Sequence, residues 1–238
     1  MPLSRFVFNT FRRFAGRDTN YEPVLPYATY APWLSDEPFI ETYKIVKPYT
    51  IVDRYRCYEL WQLVEQTAKL SGALIEVGVY RGGSGALIGK KCKLEGIKDT
   101  VYLCDTFTGV VKRSDLDSAY RGGEHADTTR ETVEEVIGRL GLDNLKILVG
   151  MFPEETSMLV TDEKFRFCHI DVDVYQSAKD VVQWLWPKLV LGGIIVFDDY
   201  GFQTCSGITR FVNEERSKRD RSIIHNLNGH AILIKTSG

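Results

Sequence analysis

The chain has 238 residues, with 30 Lys and Arg against 32 Asp and Glu, and 44% of its side chains are hydrophobic. That length suits one large domain with a small attached segment, and the apolar fraction supports a sizeable core rather than wholesale disorder. A net charge of -2 gives no reason to expect a nucleic-acid partner, and no apolar run approaches the ~18 residues of a membrane span.

The chain opens with a charge asymmetry. Arg5, Arg12, Arg13 and Arg17 fall within its first 17 residues and no acid does. Leu3, Val7, Phe11 and Phe14 recur at helical spacing, so this arm reads either as a basic amphipathic helix in weak contact with a membrane surface or a partner, or as a flexible or core-packed arm. No charged-then-apolar leader with a small-residue cleavage site is visible, and a cytoplasmic protein is expected. Residues 18–50 contain Pro23, Pro26, Pro32, Pro38 and Pro48 and are expected to be irregular covering structure. Residues 1–50 are therefore read as arm and lid, and 51–238 as the main domain.

From Val52 to about Leu70 the apolar residues recur at helical spacing, and Ser71-Gly72 stops that helix. A repeated unit follows. Ala73–Val77 reads as a buried strand, then comes a glycine-rich turn and a helix over Ser84–Leu94. Val101–Cys104 is a second strand, followed by a polar loop through Glu124 and a helix from about Thr128 to Leu140. Leu145–Val149 and Phe165–Ile170 are the third and fourth strands. A helix over Tyr175–Trp186 ends at Pro187, and Gly193–Phe197 is the fifth strand. A helix over Gly207–Lys218 precedes short strands near Ile223–Leu227 and Ala231–Ile234. Seven strands alternating with helices predict a Rossmann-like α/β fold: a doubly wound, mainly parallel sheet with helices on both faces.

The informative pattern is where the acids fall. Glu76, Asp105, Asp171 and Asp198-Asp199 stand at or near the ends of four of the first five strands. In a parallel sheet those ends share one edge, and ligands of open α/β sheets bind in the crevice outside it. The first turn, Glu76–Gly85, contains Gly78, Gly82, Gly83 and Ser84, and glycines let the backbone approach a ligand closely. It lacks both the phosphate-binding lysine of a P-loop and the dinucleotide glycine pattern. Asp105 lies 20 positions after Gly85, a suitable distance for an acid that grips ribose hydroxyls. The crevice therefore suits an adenosine-type ligand without a phosphate grip.

Asp171 and Asp173 precede Asp198-Asp199 by one helix and one strand, and adjacent strands would bring these carboxylates together. Such a cluster repels itself unless a cation or proton sits within it. Hard oxygen ligands suit Mg²⁺, Ca²⁺ or Mn²⁺. Asp173 can alternatively cap the helix that starts at Tyr175. His169 is expected to pack within the sheet, and His125 either touches substrate or is solvated. Cys57, Cys92, Cys104, Cys168 and Cys205 have neither zinc-ligand nor redox-pair spacing and read as reduced and structural.

Four ordered segments, Glu76–Gly83, Asp105–Gly109, His169–Tyr175 and Pro187–Tyr200 with its Gly192-Gly193, together resemble the macrocin and mycinamicin type sugar O-methyltransferases. The likeness runs from about Thr50 to Phe211. It implies a class I methyltransferase that uses S-adenosylmethionine and Mg²⁺. By that resemblance Glu76, Gly78, Tyr80, Gly82, Gly83 and Ser84 belong to the cofactor turn and Asp105 binds the ribose. Phe107 would sit beside the adenosine, and Gly150, Met151 and Phe152 would line the adenine side. Asp171, Asp198 and Asp199 match the family's metal ligands, with Asp171 also the candidate proton acceptor. Tyr49, Thr50 and Arg54 match a segment that closes over the cofactor. The loop Val110–Asp127, including Arg121–His125, and the arginine-rich start depart from the family pattern. The resemblance implies as acceptor a sugar or glycan hydroxyl, or another small vicinal diol, and a homo-oligomer is expected. Two other classes compete: a nicotinamide-dependent oxidoreductase, disfavoured by the missing glycine fingerprint, and a non-catalytic protein that kept the fold.

Overall fold

The computed structural model describes residues 30–238, so the basic amphipathic stretch lies outside the described residues. Strands β1 (Ala73–Val77), β2 (Val101–Asp105), β3 (Leu145–Val149), β4 (Phe165–Ile170) and β5 (Leu189–Phe197) pair in parallel. β7 (Ala231–Lys235) runs antiparallel to β5, and β6 (Arg221–His225) completes that edge. The sheet order is β3-β2-β1-β4-β5-β7-β6. Every residue of β1 and β4 is buried, including the polar Glu76, Arg166 and His169, as befits central strands covered on both faces. The chain winds outward from β1 in one direction and from β4 in the other. That switch point leaves a crevice outside their carboxyl ends.

Among the described residues six α-helices cover the two faces: α1 (Glu37–Val46), α2 (Arg54–Thr67), α3 (Gly83–Leu94), α4 (Arg130–Arg139), α5 (Tyr175–Leu185) and α6 (Ser206–Glu215). Leu60, Trp61, Leu87, Ile88, Val133 and Phe39 build the core on the α1–α4 face. Ala178, Val181, Leu185, Ile208 and Phe211 build it on the α5–α6 face. The doubly wound, mainly parallel architecture is as expected, and Pro32–Gly238 forms one compact unit. Among the described residues no helix is long and apolar enough to cross a membrane.

Two local readings change. Residues 37–46, expected to be irregular, form α1. Pro38 lies in its first turn, where a missing N–H costs nothing, and the Asp36 carboxylate accepts the Phe39 N–H at 3.0 Å and the Trp61 Nε1–H at 3.1 Å. β5 begins at Leu189 rather than Gly193. Its pairing with β4 shifts register between Phe165 and Phe167, and Gly192 takes φ +78 within that irregularity. Gly192 thus sits inside the strand at the shift rather than before it.

Candidate active site

The carboxyl ends of β1, β2, β4 and β5 open into one cavity of about 250 Å³, lined among others by Gly78, Tyr80, Asp105, Gly150, Phe152, Asp171, Asp173, Asp198 and Asp199. Gly78 shows why this turn needs glycine. Its φ is +86, and a Cβ there would run into the Asp171 carbonyl across the switch point. Gly82 then takes φ +87 as the residue before α3. Asp105 holds the turn in place: its carboxylate accepts the N–H groups of Val79 (2.6 Å), Tyr80 (2.9 Å) and Phe107 (2.7 Å). The acid expected to face a ribose thus also fixes the loop that would cradle it.

The remaining turn residues stand behind the cavity wall. Glu76 is fully buried; its Oε1 lies 2.8 Å from His169 Nδ1 and its Oε2 has no hydrogen-bond partner. Gly83 and Ser84 are buried in the start of α3, and Phe107 packs against the α1–α4 core. Thr50 lies over Gly83, whose added Cβ would stand 2.8 Å from Thr50 and from the Tyr49 backbone. Tyr49 in turn donates its hydroxyl to Glu135 at 2.7 Å. The segment matched by Tyr49 and Thr50 therefore does cover the turn, and its Ile51 lines the cavity. Arg54 points elsewhere, stacking on the Tyr43 ring.

The acid cluster is where the sequence placed it, with a cation the sequence did not reveal. Asp171, Asp198 and Asp199 bring one oxygen each within 4.8 Å of one another. The buried Arg56 guanidinium, from the first turn of α2, pairs with Asp198 Oδ2 through Nη1, which also lies 3.4 Å from Asp199 Oδ1. Asp53 aims it: one carboxylate oxygen caps α2 and the other accepts the Arg56 Nε–H at 2.9 Å. On the far side, Asp198 Oδ1 lies 2.9 Å from Nε2 of the buried His230, whose Nδ1 is 2.6 Å from Glu59. Burial alone would raise the Asp198 pKa, but His230 and Arg56 outweigh it and hold the carboxyl at about 2. Asp171 and Asp199 go the other way. Burial, then repulsion from Asp198 and Asp173, push both well above the ordinary carboxylate range despite Arg56, and Asp199 adds to the effect on Asp171.

Asp173 is not a helix cap. The residue before α5 is Val174, without a side-chain cap, and the Tyr175 N–H is accepted at 2.8 Å by Asp117, from the long loop after β2. Asp173 instead takes φ +64 and faces the cavity, where its carboxylate accepts the Tyr120 hydroxyl at 2.6 Å. The same loop is tied down at several points. Buried Asp117 also accepts the Ser114 N–H and hydroxyl, and Ser206 donates to the Leu116 carbonyl. Val110 and Gly123–Glu124 close its base through backbone bonds at 2.9 Å. His125 is exposed at the cavity mouth, edge-on to Tyr80 at 5.8 Å between ring centroids. His169 packs within the sheet as expected. All five cysteines are free and buried. Cys205 reaches the cavity, where burial first and then Asp199 push its thiol up to about 12.

Sequence reasoning missed Arg56, Tyr120, Asp117 and His230. Arg56 carried one usable signal, since Asp53 three positions earlier is a favoured cap able to hold an arginine side chain.

Comparison with known proteins agrees with this arrangement. Mycinamicin III 3''-O-methyltransferase of Micromonospora griseorubida is 30% identical over 146 residues, 56% of this chain and 57% of that protein. The 8-demethyl-8-(2,3-dimethoxy-alpha-L-rhamnosyl)-tetracenomycin-C 4'-O-methyltransferase of Streptomyces olivaceus is also 30% identical over 146 residues, covering 56% and 55%. The chain thus spans little more than half the length of these curated relatives. The structure of the O-methyltransferase NovP superposes with a TM-score of 0.69 at 24% identity, over 79% of this chain and 82% of that one, a likeness of fold. The sequence model described as Macrocin-O-methyltransferase (TylF) matches residues 44–229, and the chain belongs to that family.

Proposed function

We propose that the protein is an S-adenosylmethionine-dependent O-methyltransferase that acts on a hydroxyl of a sugar or a similar vicinal diol, with a hard divalent cation, Mg²⁺ by preference. The observation that carries this reading is the single cavity in which a phosphate-free adenosine-type turn meets a cluster of carboxylates. Gly78–Tyr80 and Asp105 would hold the donor's ribose and amino-acid side, and Gly150–Phe152 its adenine. The family's relatives methylate sugar hydroxyls of natural products, which supports a glycosyl acceptor.

The donor set fits a hard cation on its chemistry. Four carboxylates, Asp171, Asp173, Asp198 and Asp199, line one cavity with one guanidinium among them, and Asp171 and Asp199 sit far above the ordinary carboxylate range. Asp171, Asp198 and Asp199 would hold the ion. Bound there, it would lower the cost of forming an alkoxide from a very weakly acidic sugar hydroxyl.

This chain's own residues supply the rest. Methyl transfer is an in-line displacement: the acceptor oxygen forms a bond to the methyl carbon as the carbon–sulfur bond breaks, and the hydroxyl proton leaves. Asp171, whose carboxylate lines the cavity, takes that proton as the general base. Asp173, fixed by Tyr120, stands beside it as a second carboxylate facing the acceptor. The acids also offset the positive sulfonium. Val110, Tyr120 and Phe202 bound the acceptor end, and the loop's internal bonds hold that wall in shape without a substrate.

A methyl-transfer assay with tritiated S-adenosylmethionine, run on a panel of glycosides with Mg²⁺ or with EDTA, tests the reading. Label should pass to a neutral glycoside only with the cation. Asp199→Asn should lower turnover by at least about 100-fold while donor affinity stays within about threefold. Equal loss of both in Asp199→Asn would mean that the acids hold the donor rather than the ion.

A further inference from the structure

Arg56 stands where the cation reading would place an ion, and the inference drawn from it rests on that reading. Its Nη1 pairs with Asp198 Oδ2 and lies near Asp199 Oδ1, one oxygen on each of two expected metal ligands. The other Asp198 oxygen already faces His230 at 2.9 Å. Asp198 therefore has no second oxygen turned toward the cavity. Asp53 on one side, and the Phe202 ring 5.1 Å from the guanidinium carbon on the other, keep the side chain in this position. A guanidinium cannot lose its charge in a protein, so it remains a cation whatever else binds.

We propose that Arg56 is the built-in counter-cation of the Asp198–Asp199 pair, and that a divalent ion enters the cluster by displacing its guanidinium from those two carboxylates. Two cations on one carboxylate edge repel each other, and the entering ion gains Asp198 only as Arg56 withdraws. The arrangement gives the acids a partner before the ion arrives, which lowers the cost of burying them. It also makes the site weaker for the ion than three carboxylates alone would be.

The test is calorimetric titration of Mn²⁺ into the full chain, after chelation, for wild type, Arg56→Gln and Asp53→Asn. S-adenosylmethionine binding is measured on the same samples as the check on folding. Arg56→Gln should bind Mn²⁺ about tenfold more tightly than wild type. Asp53→Asn, which keeps the guanidinium but removes one of its anchors, should shift in the same direction by less. If Arg56→Gln does not fold, Asp53→Asn alone decides the question. Unchanged or weaker Mn²⁺ binding in the folded variants overturns the proposal and leaves the cation reading standing. Should wild type and variants all bind the methyl donor and none take Mn²⁺, the cation reading falls and this proposal with it.

Discussion

Tyr120 joins two parts of the cavity that lie 53 positions apart in the chain, because its hydroxyl reaches the Asp173 carboxylate. Burial and that neighbouring charge push the phenol well above its ordinary pKa, so it keeps the proton that it donates to Asp173. Tyr120→Phe should lower stability by about 1 kcal/mol in a denaturant titration and lower kcat more than it raises KM. A change confined to KM would mean that the hydroxyl grips the acceptor instead of fixing Asp173. His230 makes a pH-dependent contribution. Burial lowers its pKa, but Asp198 and Glu59 together raise it above 6.5. The imidazolium therefore stabilises the fold fully below 6.5, and the contribution is lost as pH rises through the raised folded value. The stability gap between wild type and His230→Gln should be widest near about pH 6 and narrow as pH climbs. A gap that is flat or grows with pH counts against that ion pair. Neither residue was legible in the sequence. Tyr120 sits in a stretch of Ser, Asp, Arg and Gly without periodicity, and His230 meets Asp198 only because β7 inserts beside β5.

At the scale of elements, the strands were read closely because buried parallel strands are short apolar runs bounded by turn residues. The acids at their ends were legible for the same reason: once strands are placed, a parallel sheet brings their ends to one edge. Less was readable in the elements whose form depends on partners elsewhere. α1 hides among prolines, and the cap of α5 comes from Asp117, 58 positions earlier. The β1–α3 turn carries the most exacting backbone constraint. Gly78→Ala should cost more than about 3 kcal/mol, because it adds a steric clash with the Asp171 carbonyl to an unfavourable φ. Gly141→Ala, at φ +60 with nothing within 4 Å, should cost only about 1–2 kcal/mol. Equal costs in denaturant melts would mean that β1 and β4 can separate at the switch point.

For the whole molecule, a net charge of -2 is the sum of opposed local charges rather than a neutral surface. The acids converge on one sheet edge, where Arg56 and His230 are already committed to them. That concentration of negative charge beside an adenosine-type turn is what a sulfonium donor and a hard cation require, and hydride transfer to a nicotinamide requires neither. Calorimetric titration of the intact protein with S-adenosylmethionine, and separately with NAD, tests this most directly. We predict one donor bound per chain and no heat from NAD. Binding of NAD without binding of S-adenosylmethionine would contradict the account.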